Sequence, residues 1–133
     1  MMIQAGCKRL AVLYSALLVA LVVAADRGAL PLHLTARLPG GDKAGHFLLM
    51  GLLSLLVNLA FASRDAFGVL RCSFLVAAVV TLEELSQAAL RYRNFETADL
   101  AADLAGIAVF GLLAALLRAP GAIPPNSSRP PVL

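Results

Sequence analysis

AFGVLRCSFLVAAVVTLEELSQAAL, residues 66–90, is the stretch on which the reading of the whole chain turns. It has the length of a helix that crosses a hydrocarbon core, which takes about 20 residues for about 30 Å. Near its end it carries Glu83 and Glu84, then Gln87, and it is followed by Arg91, Arg93, Asp99 and Asp103. Insertion scales put an ionised residue at the centre of a spanning helix at about 2.5–3.5 kcal/mol. Carboxylates in such a run therefore face each other, a cation, an aqueous cleft or a ligand, and they mark a site.

Working outward, three more apolar runs have spanning length: residues 10–25, 44–62 and 98–117. The chain has 133 residues, 60% of them hydrophobic and 14% charged, with a mean hydropathy of +0.85. That is too apolar for an ordinary soluble domain and too short for two sizeable ones. Alternation at strand length is absent, which argues against a transmembrane barrel. The expected fold is all-α, a polytopic membrane bundle of four transmembrane helices within residues 1–118. Residues 119–133 hold five of the seven prolines with Asn126, Ser127 and Ser128, and read as a disordered surface tail.

A pI near 9.3 would suggest a nucleic-acid partner in a soluble protein. Here the 11 Lys and Arg residues are scattered at helix ends, where they anchor and orient spans, so no nucleic acid is expected. Lys8 and Arg9 before an apolar core, with Val23-Ala24-Ala25 behind it, also give the first helix features of a signal peptide. The adopted reading is a retained span. Cys7 and Cys72 fall near one membrane face and read as reduced and structural.

Six cationic residues (Lys8, Arg9, Arg64, Arg71, Arg118 and Arg129) fall on the N-terminal side, against Arg27, Arg37, Lys43, Arg91 and Arg93 on the other. This bias favours a cytoplasmic N-terminus. Whatever the orientation, four spans put the connections after helices one and three on one face. Asp42, Lys43 and His46 open helix two, Glu84 and Gln87 close helix three, and Asp99 and Asp103 open helix four. At 1.5 Å per residue, His46 and Asp103 lie about 6 Å, and Glu84 about 9 Å, from that end. Glu84, Gln87 and Arg91 share a helical face by their i, i+3, i+7 spacing, and Asp99, Asp103 and Gly106 share another. Glu84 is therefore expected to point inward and Glu83 outward. Ala102, Gly106 and Gly111 would let helix four approach a neighbour closely, with Ser54 and Asn58 as interhelical hydrogen-bond donors.

The ordered set resembles the VanZ-like family of small bacterial membrane proteins. The matching residues are Asp42, Lys43, His46 and Phe47 as D-K-x-x-H-F, Glu84 and Gln87 as E-x-x-Q, then Arg93, Asp99 and Gly106, within residues 42–111. One departure is Asp103, where the family commonly has asparagine, which adds a negative charge. The resemblance implies a four-helix membrane domain with a role in the cell envelope. The family takes its name from a glycopeptide-resistance gene product associated with teicoplanin.

Three classes of function fit these residues. The first is a binder of an anionic lipid or lipid-linked envelope intermediate at the outer leaflet of the bacterial inner membrane. There Lys43 and Arg93, with Arg91, supply cations, Asp42, Asp99 and Glu84 orient them, and Gln87 and Asp103 complete the binding residues. The second is an intramembrane enzyme using His46 and Glu84 as acid and base, or as ligands with Asp99 and Asp103 to a divalent metal. The third is a structural subunit whose polar cluster keeps four helices in register in a homo- or hetero-oligomer. The simpler roles beside these are an N-cap for Asp42 and for Thr97 or Asp99, an interfacial snorkel for Lys43 and a buried pair of Glu84 with Arg93. No cofactor is identified by the sequence.

Overall fold

The computed structural model describes residues 2–29, 40–61, 66–89 and 95–118. They form α1 (Met2–Asp26), α2 (Gly41–Phe61), α3 (Ala66–Ser86) with a 3₁₀ turn at Gln87–Ala89, and α4 (Thr97–Arg118). The fold is all-α, as expected, with no strand among the described residues. The expected C-terminal tail, together with His33, Arg37, Arg64, Arg91, Arg93 and Arg129, lies outside those residues.

Helix α1 starts some two turns before its apolar run, because Ala5, Lys8 and Arg9 are strong helix formers that simply extend it. It stops at Gly28, whose positive φ of 68° closes a Schellman motif: Gly28 N–H donates to the Ala25 carbonyl and Ala29 N–H to that of Ala24. The N-caps differ from expectation. Gly40, at φ 70°, supplies the carbonyl that accepts from Ala44, so Asp42 sits inside the first turn of α2. Likewise Glu96 accepts from Leu100 and caps α4, which places Asp99 three residues in. Both aspartates still suit the positive helix end.

Successive helices run antiparallel, which leaves α2 and α4 parallel to each other. Those two make the most extensive contact. Its basis is a reciprocal lock of small residues. A side chain on Gly106 would strike the backbone carbonyl of Phe47, and one on Gly51 the ring of Phe110. The two phenylalanines meet edge to face, with centroids 6.0 Å apart. Helix α3 closes this pair through Val76 and Val80 against Ile107, and α1 joins at the edge through Ala11 against Leu56 and Ala60.

Towards the far end, Ser54 donates to the Ile107 carbonyl at 3.1 Å, and Asn58 Nδ2 donates to the Ser54 carbonyl at 2.8 Å and to Ser73 Oγ at 3.0 Å. The sequence expectation for Ser54 and Asn58 holds in these bonds. Large apolar side chains such as Leu13, Leu48, Phe74 and Leu112 stand exposed on the outer faces, so the molecule is apolar outside and polar within. Such an exposed apolar surface suits a lipid environment. By length and composition α1, α2 and α4 suffice to cross a membrane. Helix α3 matches them in length but carries Arg71, Glu83 and Glu84.

Candidate functional site

The polar residues of α2, α3 and α4 converge at the end where α2 and α4 begin and α3 finishes. Asp42, Lys43 and His46 come from the first two turns of α2, Asp99 and Asp103 from those of α4, and Glu83, Glu84 and Gln87 from the end of α3. Parallel packing of α2 and α4 sets the pairs: one turn along each helix, Lys43 meets Asp99 and His46 meets Asp103.

Lys43 is more than a snorkel. Its ammonium contacts the Asp99 carboxylate, lies 2.6 Å from Glu96 Oε2 and 3.5 Å from Asp42 Oδ2. Glu96 lies just before α4. Its carboxylate is half exposed yet holds Lys43, because capping α4 brings it over the start of α2.

Beneath this ionic layer lies a buried one. His46 Nδ1 is 3.0 Å from Asp103 Oδ1, and its Nε2 is 3.9 Å from Asp99 Oδ2. The imidazole thus stands between two aspartates. Glu84 has 0% and Asp103 1% of its surface exposed. Gln87 Nε2 donates to Glu84 Oε2 at 3.0 Å and to Glu83 Oε1 at 2.9 Å, so one amide ties the adjacent carboxylates. Glu83 is therefore engaged within the cluster, although Glu84 is the inward one of the two, as its alignment with Gln87 predicts. Glu84 Oε1 is buried without a hydrogen-bond partner among the described residues; the Glu96 backbone amide faces this carboxylate without closing a bond onto Oε1. Asp99 Oδ1 is also buried, but has Lys43 as its counter-charge.

The structure thus brings together Asp42, Lys43, His46, Glu84, Gln87, Asp99 and Asp103, while Arg93 lies outside the described residues. Two more carboxylates join them: Glu83, expected to point outward, and Glu96, which the motif spacing does not single out. Both adjoin the motif residues, but nothing in the spacing says which cation or amide they reach. Two sets of side chains could hold a metal ion: Asp42, His46 and Asp99, and His46, Glu84 and Asp103, each with its ligand atoms within 4.8 Å of one another.

No family model matches the chain, and no curated protein or solved structure matches it either. The chain is an all-α protein with helices fit for a membrane and a buried ionisable cluster at one end.

Proposed function

We propose that this is a four-span, VanZ-like protein of the bacterial cytoplasmic membrane, with its N-terminus in the cytoplasm. Its polar cluster, at the extracytoplasmic end, engages the anionic headgroup of an envelope lipid or lipid-linked intermediate. α3 is the fourth span, tolerated because its carboxylates turn into the bundle. A bearing on glycopeptide resistance follows from the resemblance alone.

The observation that carries this reading is the set of ionisable groups on three helices, buried at one depth below one end of an otherwise apolar bundle. In a membrane protein such groups mark a ligand path or site. Lys43 and the unpaired amides at the starts of α2 and α4 favour an anion there. Arg91 and Arg93 add cations from the adjoining connection. An apolar groove of about 530 Å³ between α3 and α4, with Leu104, Ile107 and Phe74 in its walls, offers room for an acyl chain along the bundle.

Native mass spectrometry of the detergent-purified chain tests this. Retention of a phosphate-bearing lipid is expected, with loss in Lys43→Met and Arg93→Ala. Unchanged retention in both folded variants would count decisively against a headgroup site.

A second reading, acid–base catalysis on a lipid headgroup, is favoured by one observation: His46 has a carboxylate facing each ring nitrogen. That arrangement lets the ring take a proton at one nitrogen while the other is held. It predicts release of a headgroup fragment from added lipid by wild type and none by His46→Gln. A wild type without turnover removes it.

A further inference from the structure

We propose that His46, Glu84 and Asp103 bind one divalent cation of the Zn²⁺ or Mn²⁺ kind, and that this ion is what the cluster presents to an anionic headgroup. The second half rests on the headgroup reading above; the first does not.

Geometry comes first. The three ligand atoms come from three different helices and lie within 4.8 Å of one another. His46 Nδ1 and Asp103 Oδ1 are already 3.0 Å apart. Two ligands on a common ion, each at about 2.1 Å, stand roughly 3.0–3.4 Å from each other. The set as a whole spans at most 4.8 Å, so the ligands draw together when the ion binds.

An independent observation points the same way. Glu84 is fully buried, Gln87 holds its Oε2, and Oε1 is left without a hydrogen-bond partner among the described residues. A buried carboxylate oxygen without a partner is costly. The Gln87 bond does here what outer-shell partners do at metal sites, fixing the carboxylate so that its other oxygen is free to ligate.

Charge completes the case. Lys43 is committed to Asp99 and Glu96, so it does not neutralise Glu84 and Asp103. One divalent ion with a neutral imidazole balances those two carboxylates. The competing set, Asp42, His46 and Asp99, is disfavoured because the Lys43 ammonium already sits on Asp99 and would repel a cation beside it. One imidazole with two carboxylates suits borderline to hard ions and gives soft ones no thiolate. Three protein ligands leave an open position, the mark of a site that exchanges water for a ligand.

The test uses the full chain, delipidated in detergent, loaded with Zn²⁺ or Mn²⁺ and dialysed before elemental analysis. About one ion per chain is expected in wild type and in Asn58→Ala, a change at the opposite end of the bundle. Affinity should fall at least tenfold, about the smallest loss seen when even an outer-shell partner is removed, in Glu84→Gln and in Asp103→Asn. Visible absorption of a Co²⁺-loaded wild type, which depends on no variant folding, should show a low-symmetry site with nitrogen and oxygen ligands. Wild type that retains neither metal, or Glu84→Gln and Asp103→Asn that both retain it fully, overturns the site. Loss in Asp42→Asn alone overturns this choice of ligands. Lipid retention with and without chelator then separates the two readings. Metal bound with no lipid retained overturns the headgroup reading and leaves the ion site standing. Lipid retained equally after chelation overturns the ion as the bridge.

Discussion

The cluster around His46 and the knot around Asn58 lie on the same three helices, about 18 Å apart along α2, yet they are built on opposite principles. The knot is neutral. The Ser54 hydroxyl donates to the Ile107 carbonyl and the Asn58 amide to Ser54 and Ser73, while the buried amide oxygen of Asn58 is left over among the described residues. The cluster is ionic, and its carboxylates (Asp42, Glu83, Glu84, Glu96, Asp99 and Asp103) outnumber Lys43 and His46. A neutral knot is sufficient to hold helices in register. The bundle uses a neutral fastener at one end and an ionic cluster at the other, and the proposed headgroup site builds on that contrast.

The strongest way to break the comparison is to damage what both regions share. Gly106→Leu drives a side chain into the Phe47 backbone, and a loss of about 3 kcal/mol or more is expected, with both regions disrupted. Thermal unfolding in detergent reads it. Gly45→Leu, two residues before Phe47 but with open space around it, should unfold near the wild-type temperature. If both substitutions cost the same, the α2–α4 lock is not the common support.

An intermediate effect is expected from Lys43→Met, which strips Asp99 of its counter-charge. The loss is smaller than for a fully buried broken pair, because the Lys43 side chain is partly exposed and solvent screens the interaction. Adding Asp99→Asn should restore stability without restoring ligand retention. Recovery of both together would make the cluster structural.

The smallest effect belongs to the knot. Asn58→Ala should cost about 1 kcal/mol, near the average for a hydrogen bond between membrane helices, and leave lipid and metal retention untouched. A change in either at unchanged stability would erase the division between fastener and site.

Much of the cluster was legible in the sequence because charge in an apolar run has few places to go. Asp99, Asp103 and Gly106 fall on one face by spacing alone, and that face does turn inward. Glu84 and Gln87 behave the same way, and parity of the spans put them opposite His46. The lock of Gly51 with Phe110 and the stripe of Ala11, Leu18 and Ala25 on α1 were invisible. When solvent and core are both apolar, hydrophobic pattern no longer tells one face from another, and packing depends on shapes that spacing does not encode. The pairing of Lys43 with Glu96 was hidden for another reason. It depends on where α4 is capped, and Thr97 and Asp99 are better capping residues than the glutamate that takes the position.

The most extensive interface joins two helices that are not neighbours in the chain. During synthesis α2 must wait in the bilayer, with the face meant for Phe110 and Gly106 uncovered, until α4 emerges. Meanwhile α3 arrives with Glu83 and Glu84 before Asp103 exists to complete their surroundings. The largest interface therefore closes only once α4 is complete, and a chain that ends before α4 leaves His46 without either of its two aspartates.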